Sequence, residues 1–272
     1  MSWYPLGRPV GSTIYPGMQI VSVIIWKVLN AGGIAMSLND VCCYVPAWFG
    51  VIATYFLGLL AYECTKSVNT AIFAAAIMAI IPAHLMRSIG GGFDNEAVAM
   101  TAMMMTFYFY CLSLREGGRL WFVGIFAGFA YGFMAATWGG YVFVINMVGL
   151  HAGVLALVRY SSKLHRAYTL FYIVGTFLAT RVPVISMTPL KSLEQMMPLL
   201  VFFALQLFEL VEIYRVKKNI PREEVSETSL ETSIPLFPCT YIHFITPSRA
   251  RPRVESIPNA HLSLSATVDV EP

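Results

Sequence analysis

Residues 41–61 read VCCYVPAWFGVIATYFLGLLA, an apolar run of the length that crosses a bilayer as a helix, about 20 residues. Similar runs follow at roughly 70–86, 97–114, 120–136, 141–158, 167–185 and 196–213. Hydrocarbon gives backbone N–H and C=O groups no water to bond, so segments of this length must be helical. Only 12% of residues are charged, against about 25% in an average globular chain, and 57% are hydrophobic. A mean hydropathy of +0.65 excludes disorder for most of the chain. The net charge of +3 comes from scattered basic residues, without the patch that a nucleic-acid partner would need. The expected fold is all-α: a polytopic transmembrane bundle of about seven spans, with the lipid bilayer as its solvent.

The stretch 17–33, GMQIVSVIIWKVLNAGG, is shorter and carries Lys27; it either spans or lies in the interface. Lys and Arg set the orientation. Lys66 lies in the connection at 62–69, Arg115 and Arg119 in 115–119, and Arg159, Lys163 and Arg166 in 159–166. Arg215, Lys217, Lys218 and Arg222 follow the last run. The alternate connections, 87–96, 137–140 and 186–195, hold only Arg87 and Lys191 as cations. The positive-inside rule therefore places the basic set in the cytoplasm and the other set across the membrane. From about residue 223 the chain turns rich in Ser, Thr, Pro and Glu, so a membrane domain at 1–222 and a flexible, disordered tail at 223–272 are expected. The five cysteines, Cys42, Cys43, Cys64, Cys111 and Cys239, show no zinc-ligand spacing and are expected to be buried thiols.

The connection His84-Leu85-Met86-Arg87-Ser88-Ile89-Gly90-Gly91-Gly92-Phe93-Asp94-Asn95-Glu96 puts ionisable groups at a membrane boundary, where they are costly and mark a candidate site. Asp94 and Glu96, two residues apart, can point the same way in an irregular turn. Their oxygens are hard ligands suited to Mg²⁺ or Mn²⁺, which take one or two carboxylates plus water and substrate. Three glycines permit close approach of a bulky ligand, and Arg87 can pair with a carboxylate or hold a phosphate. The same residues also admit a plain structural reading. In it Asp94 caps a helix beginning near Asn95, Glu96 favours that helix's dipole, and Arg87 snorkels to the interface.

Trp138-Gly139-Gly140-Tyr141 lies on the same side. It reads either as a tight helical hairpin with interfacial aromatics or as a wall for a lipid-linked substrate. Thr188 to Gln195, with Lys191 and Glu194, reads as a connection, and Arg181 either snorkels or counters a buried anion. His84, His151 and His165 are too dispersed for a metal set. No phosphate loop, nucleophile elbow or Cys-x-x-Cys occurs. A transporter would need polar residues near the bilayer midplane and an internal repeat. Glu209 and Glu212 are the nearest approach and lie close to a cytoplasmic end. A non-catalytic membrane scaffold predicts the same helices.

Trp3-Tyr4-Pro5-Leu6-Gly7-Arg8-Pro9-Val10-Gly11 and Tyr15-Pro16-Gly17 resemble the end of the first lumenal loop of oligosaccharyltransferase catalytic subunits. The run His84 to Glu96 resembles that family's second acidic motif. Trp138 to Phe143 and Thr188 to Gln195 fall at matching intervals. The resemblance covers about residues 1–220 and is nearest the amino-terminal membrane part of the single-polypeptide protozoan enzymes. It implies a multi-pass protein of the endoplasmic reticulum membrane and protein N-glycosylation. An oligosaccharide would pass from a dolichyl-pyrophosphate carrier to Asn of an acceptor polypeptide's Asn-x-Ser/Thr sequon, with inversion at the sugar carbon. By position it implies Asp94 and Glu96 as ligands of Mn²⁺ or Mg²⁺, Arg87 as the arginine beside them, Trp138 and Tyr141 as substrate contacts, and further oligosaccharyltransferase subunits as partners. It also favours 17–33 as an interfacial helix. An acidic first loop, a Ser-Val-Ser-Glu-like loop and a domain carrying Trp-Trp-Asp-Tyr-Gly belong to the family and are not found in these 272 residues. The expectation is thus that this chain alone is inactive.

Overall fold

The computed structural model describes Gly7, residues 13–115 and residues 120–218. The segment from Trp3 to Leu6, the residues Arg8 to Gly11, Arg119, Arg222, Cys239 and the expected tail at 223–272 lie outside the described residues. Among the described residues all regular structure is helical. The helices are α1 (Gly17–Ala31), α2 (Leu38–Thr65), α3 (Val68–Ile80), α4 (Pro82–Leu85), α5 (Asn95–Ser113), α6 (Gly124–Thr137), α7 (Tyr141–Arg159), α8 (Ser162–Thr180), α9 (Thr188–Lys191) and α10 (Met196–Lys218). A 3₁₀ turn at Leu120–Val123 leads into α6, and another at Leu193–Gln195 leads into α10.

Every expected apolar run is helical over most of its length, but not all in the form expected. Four stretches are long and apolar enough to cross a membrane by themselves: Leu38–Thr65, Leu120–Thr137, Tyr141–Val158 and Leu193–Lys218. The run at 70–86 is broken. Proline at 82 drives Ile81 into extended backbone (φ −67°, ψ 125°) and ends α3 after 13 residues, because a residue preceding proline avoids the helical region. The run at 167–185 stops as helix at Thr180 and continues as turns. Helix α5 opens on Asn95 and Glu96, and α8 on Ser162, Lys163 and His165, so each trades apolar length for a polar first turn. Helix α1, at 15 residues, extends only about 22 Å at 1.5 Å per residue, short of a core of about 30 Å. It lies against α2, α5 and α6, with Met18 fully buried among Val41, Val45 and Val98, while Lys27 stays exposed.

Helices α6 and α8 pack most intimately, through small residues one turn apart on α6. A Cβ on Gly124 would lie 2.5 Å from the Ala167 carbonyl oxygen, one on Gly128 3.0 Å from the Phe171 carbonyl, and one on Gly132 2.6 Å from Leu178 Cβ. Tyr131, Tyr168 and Phe171 fill the space beside this seam and are fully buried. Outward-facing residues are large and apolar: Phe73 is 70% exposed and Leu207 63%. Patches of that kind mark surfaces that meet lipid or further protein. The same geometry corrects the expectation of buried thiols: Cys42, Cys43 and Cys111 are half-buried and Cys64 is exposed, since an apolar run in a thin bundle can turn its side chains to lipid.

Three of the basic connections meet at one end of the bundle. Glu63, with only 8% of its side chain exposed, pairs with Lys66 and lies 3.7 Å from Arg115. Lys163 donates to the Arg115 carbonyl. Tyr160 donates to Glu209 at 2.6 Å, and His165 lies 3.0 Å from Gln206. Glu209 is thus engaged near the basic end, and Glu212 is paired with Arg215, neither standing as a polar site at mid-membrane.

The glycine seam makes a signed prediction. Gly124→Ala should lower the thermal midpoint of the detergent-solubilised chain, at a cost of about 1–3 kcal/mol for overpacking against backbone. Gly58→Ala meets only ordinary contacts at 3.5 Å and should raise it by roughly the helix-propensity gain of 0.5–1 kcal/mol. Equal shifts for the two substitutions would refute the seam as the packing determinant.

Candidate functional site

At the end of the bundle opposite that basic cluster, the chain between α4 and α5 folds onto α2. His84 is buried, its Nε2 3.2 Å from the Gly50 carbonyl and 3.5 Å from Thr54 Oγ1. Thr54 donates its hydroxyl proton to the same Gly50 carbonyl at 2.9 Å. Ser88 Oγ stands 3.4 Å from both ring nitrogens of His84. The absence of a side chain at Gly50 makes this seat possible: a Cβ there would lie 2.6 Å from Ser88 Cβ and Oγ. Gly91 takes φ +88°, a left-handed conformation that glycine adopts without steric cost, and donates its N–H to the Cys43 carbonyl at 2.8 Å. Thr101 donates to Phe49 O at 2.7 Å and ties the first turns of α5 to the same helix.

On this frame the acidic residues converge. Arg87 Nη1 donates to Asp94 Oδ2 at 2.7 Å, and its Nε lies 2.7 Å from Glu96 Oε2. Asp94 occupies the cap position of α5 with extended backbone (φ −129°, ψ 142°) but makes no side-chain cap bond. Its carboxylate goes to the guanidinium instead. The capping role open to it from sequence is therefore not the one it plays, whereas Glu96 does sit in the first turn, where the dipole favours it. The three side chains are 46%, 46% and 31% exposed. Surface pairs of this kind contribute about 0–1 kcal/mol each, so their consequence is orientation more than stability. One guanidinium against two carboxylates leaves a net negative charge and, among the described residues, one oxygen without a partner on each acid, Asp94 Oδ1 and Glu96 Oε1. Among the described residues no three His, Cys, Asp or Glu side chains gather into a metal-ligand group.

Trp138 caps α6 with extended backbone and is 38% exposed as a residue at the same end. Tyr141 is different: it is 4% exposed, its ring lies edge-on to Tyr131, and its hydroxyl accepts from Gln195 Nε2 at 3.3 Å. It braces the loop before α10 rather than forming an open wall. No hydrogen bond or ion pair among the described residues links Trp138 or Tyr141 to Asp94 or Glu96. The start of α1 closes against this hairpin. A Cβ on Gly17 would meet Thr137 Oγ1 at 2.6 Å, and one on Gly139 would meet the Tyr15 hydroxyl at 3.0 Å. Burial pushes the Tyr15 phenol above its usual range, so it remains neutral there. His151 and His165 are hydrogen-bonded to Tyr110 and Gln206. Sequence reasoning missed Gly50, Thr101 and Gln195. Each is defined by a partner more than 35 residues away, and a local signal exists only for the glycine.

With that geometry in place, comparison with known proteins gives one answer. The family model described as "Oligosaccharyl transferase STT3, N-terminal" matches residues 1–244, past residue 220, where the sequence resemblance fades. Over 211 residues the chain is 44% identical to the "Dolichyl-diphosphooligosaccharide--protein glycosyltransferase subunit stt3" of Schizosaccharomyces pombe, covering 76% of this chain and 27% of that protein. The STT3 subunit of Dictyostelium discoideum is 38% identical over 208 residues, and that of Saccharomyces cerevisiae 38% over 212, each covering 76% of this chain and 29% of the relative. The chain thus spans less than a third of the length of the curated relatives it matches. A helical membrane bundle with these relatives belongs to the STT3 oligosaccharyl transferase family, in the region that the family model describes as N-terminal.

Proposed function

We propose that this chain supplies the membrane-embedded, carboxylate-bearing part of a metal-dependent oligosaccharyltransferase in the endoplasmic reticulum membrane. In this reading an oligosaccharide passes from dolichyl pyrophosphate to Asn of an Asn-x-Ser/Thr acceptor polypeptide, with other subunits of the enzyme as partners. The observation that carries it is the turning of Asp94 and Glu96 onto Arg87, in a chain 38–44% identical to glycosyltransferase subunits.

The residues fit Mn²⁺ or Mg²⁺. Among the described residues two hard oxygens, Asp94 Oδ1 and Glu96 Oε1, have no partner, and two is a number of carboxylate ligands that such ions take alongside water and substrate. A cation there would position the reactants and neutralise charge developing on a phosphate leaving group. The chain's own residues supply the setting. Arg87 holds the two carboxylates at a common point and offsets part of their mutual repulsion, a ligand-orienting role. His84, Gly50 and Gly91 fix the turn against α2, so that the pair projects from a rigid element. Trp138 presents an apolar ring beside the membrane boundary, suited to a lipid-linked donor, and Tyr141 acts through Gln195 as a positioning residue.

A chimaera tests this. Residues 13–218 would replace the homologous stretch of the Schizosaccharomyces pombe subunit, with glycosylation of a reporter sequon as readout. The chimaera should glycosylate, and Asp94→Asn with Glu96→Gln should abolish the activity. Activity of that double variant equal to the parent would sink the reading.

Arg87→Gln makes a separate prediction. The Mn²⁺ concentration for half-maximal activity should rise about 10–100-fold, the usual cost of losing a ligand-orienting side chain, with activity recovering at saturating Mn²⁺. Gly50→Val should shift the same metal dependence by displacing Ser88 and the turn. An unchanged metal requirement in both variants would show that the turn does not position the acids.

A further inference from the structure

We infer that the cleft between α8, α9 and α10 is a binding site for a membrane phospholipid, with its tail along the helices and its phosphate at Arg181 and Lys191. This inference is independent of the acidic turn. The cleft holds about 350 Å³ and is lined chiefly by Tyr172, Thr176, Phe177, Leu190, Leu199 and Phe202. That volume falls within the roughly 300–1,000 Å³ range of small-molecule sites, and the apolar wall suits an acyl chain.

Two features select a lipid with an anionic head. Helix α8 runs from the basic end of the bundle and stops at Thr180, so Arg181 marks the opposite mouth of the cleft. Its guanidinium lies 4.7 Å from the ring centroid of Phe177, a lining residue. Lys191 directly follows Leu190, another lining residue, and both cations are exposed. Neither has a carboxylate partner among the described residues; Glu194, the nearest acid in sequence, is exposed and three positions beyond Lys191. A cation left at the membrane boundary beside an apolar groove is satisfied by a phosphate.

The second feature lies deeper. Thr176 Oγ1 is buried in the cleft wall with the Tyr172 hydroxyl as its polar neighbour. Thr176 lies five positions before Arg181, about 7.5 Å along a helix. Thr176 would donate to an ester carbonyl of the bound lipid.

The test uses the whole chain in detergent micelles, with native mass spectrometry reading the lipid retained after delipidation and re-addition. Dioleoyl phosphatidic acid should remain bound at one molecule per chain, and dioleoylglycerol, with the same tails and no phosphate, should not. Arg181→Gln with Lys191→Gln should reduce retention at least tenfold. Lys163→Gln with Arg166→Gln, at the opposite end, should leave it unchanged. Equal retention of the two lipids, or full retention by the Arg181/Lys191 variant, overturns the proposal. Photoreactive phosphatidic acid on the unmodified chain gives a readout free of misfolding. Crosslinks within 172–202 support the site, and crosslinks confined elsewhere refute it.

Discussion

Inside a bilayer a helix gains little by burying leucine against leucine, because lipid tails are just as apolar; helices hold together where their backbones come within contact distance. Gly124, Gly128 and Gly132 give α6 such a face, and α8 lies in it. Around that seam Tyr131, Tyr168 and Phe171 fill what the glycines leave open. Helix α5 packs on α6 and on α2, so the seam indirectly sets where the first turn of α5 stands. Asp94 and Glu96 belong to that turn.

The acidic turn is built by the same economy of small residues. Gly50 on α2 gives Ser88 room, His84 bonds to the carbonyl of that glycine, and Gly91 takes a conformation other residues resist. What remains free to project from this frame is charged. Arg87 spends its fork on two different acids rather than on one, leaving each with an oxygen turned elsewhere.

The helices were legible in the sequence because an apolar run of spanning length has few alternatives in hydrocarbon. The Lys and Arg alternation was legible too, and Glu63, Arg115 and Lys163 do meet at one end. The break at Ile81 needed only Pro82 to be weighed more heavily against hydrophobicity. Other features could not be read. Asp94 followed by Asn95 and Glu96 looks like a helix start, and it is one; only the fold of the turn decides that its carboxylate goes to Arg87 instead of the backbone. Tyr141 next to a Gly-Gly pair looks exposed, and its burial follows from Gln195, 54 residues away. Cys64 sits at the end of an apolar run and is nonetheless exposed, because hydropathy reports affinity for lipid and neighbouring helices alike.

The central claim is that Asp94 and Glu96, held by Arg87, form a cation-holding pair. The most direct measurement is an electron paramagnetic resonance titration of free Mn²⁺ against the purified full chain and its Asp94→Asn/Glu96→Gln variant. The unmodified chain should deplete the free Mn²⁺ signal at a single weak site, and the double variant should not. Equal depletion by both would place any bound metal elsewhere and contradict the account.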